Sequence, residues 1–291
     1  MNRESSSLTR WLLSAACVGG AAAVVSTAPA GDAHADGADG DLMFYVVNDQ
    51  LTVGRYDFDG GTGVVIEEVT EEIVLAEMEP SWEFGPNPGT DEPGLATDGS
   101  LPSPPDPDGI NFPFPADTAL TAQSSLLPVL GTNAAYWDGT GTPSFGALPS
   151  GQFLIVESPF VAPGLVEEIE LDGSATAPTG TLAPWVSDSN GTEHDHFEFL
   201  HSAADADADA GIYLFALDYA TDDPSVAGTT LTYLLGYGGP EGSPIYDDAT
   251  LEGLLEDAEE YVENNIVPEP AAATLLALGG LAALRRRGGH A

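Results

Sequence analysis

Nine short runs of β-forming residues recur along this chain: Leu42 to Val47, Leu51 to Phe58, Val64 to Val69, Glu72 to Met78, Gln152 to Glu157, Val166 to Leu171, His194 to His201, Gly211 to Tyr219 and Thr229 to Tyr237. Turn signals punctuate them, among them Asn48-Asp49, Asp59-Gly60-Gly61, Asp138-Gly139, Asp172-Gly173 and Asn190-Gly191. Runs this short, bounded by residues that tolerate tight turns, pair as strands more readily than they wind into helices. The pattern predicts a mainly β fold, an antiparallel β-sandwich or jelly roll.

Two segments depart from that rhythm. Residues 86–115 carry nine of the 23 prolines, which excludes a central strand or a long helix and predicts a covering loop or a hinge. From Asp248 to about Asn264, Leu251, Leu254, Leu255, Ala258, Tyr261 and Val262 recur at helical spacing. Glu252, Glu256, Glu259, Glu260 and Glu263 fill the opposite face, so an amphipathic helix is expected there. The expected organisation is an acidic β domain over 36–246, with a subdivision possible within 86–115, then a helical spacer over 247–266.

Charge restricts function further. Asp36 to Val267 holds one base, Arg55, while Arg3, Arg10, Arg285, Arg286 and Arg287 lie near the chain ends. Of 47 acidic residues only Glu4, Asp32 and Glu269 fall outside that span, leaving 44 and a net charge near −43. Such a surface repels nucleic acid and anionic lipid, and salt or divalent cations relieve its self-repulsion. A solvated acidic surface is the preferred reading, with calcium binding as the alternative.

Both ends look like transport signals. Arg3 and Arg10 precede the apolar run Trp11 to Ser26, and Ala28-Pro29-Ala30 and Ala33-His34-Ala35 are small-x-small cleavage sites. This predicts a signal peptide over 1–35, removed by signal peptidase after Ala35 together with Cys17, the only cysteine. At the other end, Val267-Pro268-Glu269-Pro270 is followed by the uncharged run 271–284 and then Arg285-Arg286-Arg287. Fourteen helical residues reach about 21 Å against a hydrocarbon core of about 30 Å. Extension back through Ile266 and snorkelling of the arginines completes a membrane helix, with the arginines on the cytoplasmic side.

The order Val-Pro-Glu-Pro, apolar helix and terminal arginine cluster resembles the PEP-CTERM sorting signal, here over 267–291. That resemblance implies recognition by a membrane-embedded exosortase, cleavage near the Pro-Glu-Pro motif, passage through the inner membrane and delivery to the cell surface or extracellular matrix. It implies a route and no activity.

The chemically suggestive stretch is Thr192 to His201. Alternation along one strand would place His194, His196 and Glu198 on one face and Asp195, Phe197, Phe199 and His201 on the other, with the Phe side inward. Two imidazoles and a carboxylate at this spacing suit a zinc or copper ion. The preferred reading is nevertheless structural, with the imidazoles bonding backbone or carboxylates. Asp205, Asp207 and Asp209 follow at alternate positions, but Ala210 and Ala216 stand where a calcium loop needs Gly and Glu, so an acidic hairpin loop is preferred to a calcium site. Together with Gly211-Ile212-Tyr213-Leu214-Phe215, Glu92-Pro93-Gly94 and Tyr136-Trp137-Asp138-Gly139, this unit is similar to surface-anchored β domains carrying His-x-His and Gly-x-Tyr. Phe197, Phe199 and Ala210 depart from the Trp and Pro of that pattern.

No Gly-x-Ser-x-Gly elbow, phosphate loop or His-Glu-x-x-His occurs. The expectation is an exported, non-enzymatic surface or matrix protein with a structural or binding role, an extracellular polysaccharide being one candidate partner. The alternatives are a metal-dependent binding protein or hydrolase centred on His194, His196 and Glu198, and a calcium-assisted carbohydrate-binding module.

Overall fold

Three sheets and one helix make up the structure, a computed structural model that describes residues 41–47, 49–57, 64–68, 73–79, 88–91, 93–97, 114–158, 164–187, 193–203, 208–239 and 248–267. In chain order the first strands are β1 (Asp41–Val47), β2 (Gln50–Asp57), β3 (Val64–Glu68), β4 (Ile73–Glu77), β5 (Gly89–Thr90), β6 (Leu95–Thr97) and β7 (Leu120–Ser125). They are followed by β8 (Ala134–Trp137), β9 (Gln152–Glu157), β10 (Glu168–Leu171), β11 (Glu193–Asp195), β12 (Glu198–Ala203), β13 (Gly211–Thr221), β14 (Thr229–Tyr237) and the helix α1 (Asp248–Asn265). The sheet orders are β11-β6-β1-β2-β3, β10-β9-β12-β5 and β4-β14-β13-β7, with β8 also pairing β13. All described residues belong to one compact unit, Ala35–Ala291.

The expected mainly β character is therefore present, but two of the three sheets are mixed, the β10-β9-β12-β5 sheet alone being wholly antiparallel. β6 runs parallel to β1, and β4 runs parallel to β14. The hairpin β1–β2 turns at Asp49, which takes a φ of 63°, a conformation that Asp tolerates better than most residues.

The proline-rich excursion also differs from expectation. It supplies β5 to one sheet and β6 to another, where β6 lies between β11 and β1. Pro88 and Pro93 stand just outside those ladders, so no proline removes a donor from them.

Strand β13 explains why its segment is apolar at nearly every position. Tyr213, Phe215, Leu217 and Tyr219 enter a core shared with residues of all three sheets, including Phe44, Leu154 and Phe199. Ile212, Leu214 and Ala216 enter a second core with Leu251, Leu255, Ala258 and Val262 of α1. Both faces are covered, so the two-residue alternation disappears. The helix sits closely on β14: a Cβ built on Gly236 would meet Leu251 Cδ1 and Leu255 Cδ1 at 3.1 Å. Its apolar face is the one expected, and Ile266, just past its end, is still buried.

Among the described residues no helix is long and apolar enough to cross a membrane. The expected signal peptide 1–35, Pro268 to Pro270, the apolar run 271–284 and Arg285 to Arg287 lie outside the described residues.

Candidate functional site

The strand expected from His194 to His201 is broken. β11 ends at Asp195 and pairs with β6, whereas β12 begins at Glu198 and lies between β9 and β5. The break has a local cause: the Asp195 carboxylate accepts the His196 N–H at 2.9 Å, in place of a ladder partner. His194, His196 and Glu198 therefore do not share the face of one continuous strand. The inward side is as expected from Phe197 onward, since Phe197, Phe199 and His201 are all buried.

His196 is held through its ring. Nδ1 lies 2.8 Å from the Asp91 carbonyl oxygen, which can only accept, so Nδ1 carries the proton in this arrangement. Asp91 Oδ2 is 4.0 Å from the same nitrogen. Glu198 stands opposite Glu157, which stands opposite Glu168 on the next strand. Desolvation first, and then the charges of Glu198, Glu168 and Glu167, push the Glu157 carboxyl up. Among the described residues no group of three His, Cys, Asp or Glu could hold a metal ion. The side chain of His194, and Asp205 and Asp207, lie outside the described residues.

The structure instead gathers a polar cluster around His201, which the alternation assigned to the core face without a role. The ring is fully buried, and its Nε2 lies 3.1 Å from Gln152 Oε1, an oxygen that can only accept. Gln152, at the start of β9, is a hub. Its Nε2 donates to Asp209 Oδ2 at 2.9 Å, and its Oε1 also receives the Tyr213 hydroxyl at 3.2 Å. Tyr213 O–H further reaches the Asp209 carbonyl at 2.6 Å, and Tyr136 O–H donates to the Ala210 carbonyl at 2.7 Å.

Rings close the cluster. Tyr213 meets His201 edge-on at 4.8 Å and Tyr136 at 5.0 Å. Gly211 is required between them, because a Cβ there would stand 2.4 Å from the Trp137 carbonyl oxygen and 2.5 Å from Tyr136 Cε2.

Burial dominates the electrostatics. It pushes His201 down to about 4, against a smaller opposing pull from Asp209, so the imidazole is neutral at pH 7. Burial, then Asp209 and Asp138, raises Tyr136 to about 12, and burial raises Tyr213 further. His201 Nδ1 is buried without a hydrogen-bond partner. Of the acidic triplet, Asp209 alone is described, and it anchors the segment entering β13.

A separate cleft of about 620 Å³ lies between Gly141–Pro143 and the end of α1, where Asp257, Glu260 and Tyr261 line it. It shares no residue with the His201 cluster. The cluster's own acid–base group is enclosed, and its hydrogen bonds hold the segment 208–210 beside the start of β9. No protein-family model matches the chain, and no curated protein matches it.

Proposed function

We propose that this chain is an exported cell-surface or extracellular-matrix protein, an acidic β-sandwich that exosortase processes and that acts as a structural or binding element rather than as an enzyme. One observation carries the reading: Val-Pro-Glu-Pro, an apolar run and three arginines follow in the sequence directly on Ile266, which is buried just past the end of α1. Ile266 is buried and bonds back to Val262, as does Val267. A protease acting near Pro268 to Pro270 would leave α1 and the buried Ile266 on the released chain.

The sandwich reading is supported by the core that residues of all three sheets share, with α1 covering the other side of one sheet. The polar side chains of the candidate site are engaged within the fold: His196 with the Asp91 carbonyl, Tyr213 and Tyr136 with the carbonyls of Asp209 and Ala210, and Gln152 with the Asp209 carboxylate. Signal peptidase and exosortase are the processing partners of this proposal, and the inner membrane is its transit point.

Fractionation of cells with and without exosortase, read by mass spectrometry of the terminal peptides, tests it. The expected product lacks 1–35 and ends near the Pro-Glu-Pro motif only when exosortase is present. An intact Met1-to-Ala291 chain in the cytosol of both strains refutes it.

A further inference from the structure

We infer that His201 is a proton-operated latch: its neutral ring holds residues 208–210 through Gln152, and protonation of the ring releases them. The geometry supplies both halves. In the closed state Nε2–H donates to Gln152 Oε1, and the same glutamine holds Asp209 through its carboxylate at 2.9 Å and its amide N–H at 3.4 Å. Protonation adds a second N–H at Nδ1, the nitrogen that is buried without an acceptor. An imidazolium therefore fits only a conformation in which the ring reaches water, and that movement withdraws the donor from Gln152.

The groups facing the ring leave His201 as the acid-range switch. Tyr213 of β13 contacts it edge-on, and Tyr136 of β8 and Tyr237 of β14 act on Tyr213. All three are tyrosines, neutral in acid. Among the described residues Asp209 is the charge whose pull on the ring is felt, and it favours the protonated form without offsetting burial. The latch lies at element ends: Gln152 opens β9 and Gly211 opens β13. Opening there requires far less than global unfolding.

The expected size follows from linkage. The open, hydrated ring has its ordinary value of 6.5 and the closed ring one of about 4, so the open state binds more protons between those limits. Lowering the pH from 7.5 to 5 then multiplies the opening equilibrium by roughly 30.

Hydrogen exchange of the full-length chain, with the Asp209 amide corrected for intrinsic rate, reads this directly. Protection is expected to fall roughly 30-fold from pH 7.5 to 5 in the wild type and to stay flat in His201→Phe, which keeps the ring against Tyr213. An equal fall in both proteins, or none in the wild type, overturns the latch. Should the variant not fold, wild-type imidazole NMR beside the Asp209 exchange decides: a ring still neutral at pH 5.5 with Asp209 protection already below its pH 7.5 value upholds the latch, and an imidazolium with that protection unchanged overturns it. Neither readout depends on export or on exosortase.

Discussion

Tyr219 and Tyr233 place two hydroxyls in the middle of the aromatic core, and removing them one at a time should cost more than removing both suggests. Their oxygens are 2.5 Å apart and both residues are fully buried. Phe44 lies 5.0 Å from Tyr219, and Phe215 stacks on Tyr233 at 5.0 Å with an interplanar angle of 5°. Either single Phe substitution keeps the ring but strands the remaining hydroxyl, at about 1–3 kcal/mol each. The double variant strands nothing and should fall short of the summed singles by at least about 1 kcal/mol.

Urea unfolding at fixed salt is the assay, because guanidinium would itself screen the acidic surface. Additivity within about 0.5 kcal/mol would refute the view that the hydroxyls satisfy each other. The same pair predicts alkaline behaviour. Burial raises both tyrosines above the usual 10. Their stabilisation is whole below pH 10 and is lost above it, where the unfolded chain ionises first, at about 1.4 kcal/mol per pH unit for each tyrosine. The double Phe variant should show a shallower alkaline loss.

Gly211→Ala should destabilise the protein by about 2–3 kcal/mol, since the new Cβ would overlap the Trp137 carbonyl and the Tyr136 ring; an unchanged melting temperature would contradict that close approach. Asn133, buried and bonded to Asp172, Thr176 and the Gly173 N–H, should cost about 2–4 kcal/mol when changed to Ala, read by urea midpoint. Raising sodium chloride from about 0.01 to 1 M should raise the melting temperature, because screening relaxes repulsion across a surface with one base against 44 acids between Asp36 and Val267. His196→Ala should leave the zinc and copper content of purified protein unchanged by elemental analysis; loss of a stoichiometric ion would favour the metal-dependent alternative.

The strands that sequence revealed are those with enough apolar residues to signal burial. β9 and β14 match their expected runs to the residue, and α1 extends one residue beyond its expected end. β7 was hidden because Thr121, Gln123 and Ser125 dilute its inward Leu120 and Ala122, and β8 because four residues are too few to show a period. β5 and β6 were masked by the prolines around them, although a proline before a strand removes nothing from its ladder. The His194–His201 run misled for a different reason. Alternation assumes an unbroken ladder, and the Asp195 side chain interrupts it by capturing the next amide. From Phe197 onward the run keeps the expected facing. His201 was legible as a core-side histidine, but Gln152 lies 49 residues away, and no local pattern announces that partnership.

A chain almost without cations must find other partners for its carboxylates, and the turns show how. Asp138 accepts from the Thr140 N–H and hydroxyl, Asp172 from Asn133 and the Ser174 N–H, and Asp223 from the Ser225 N–H and hydroxyl. These hydrogen bonds pull each carboxyl below its usual range. Each acid thus fixes a connection between strands while keeping its charge at the surface. Glu168, Glu157 and Glu198 stand in register across three adjacent strands, and like charges directly opposite one another oppose pairing. Lowering that repulsion by Glu157→Gln should stabilise the sheet at low salt, and the gain should shrink as salt is raised. A gain independent of ionic strength would mean that packing, not charge, governs this row.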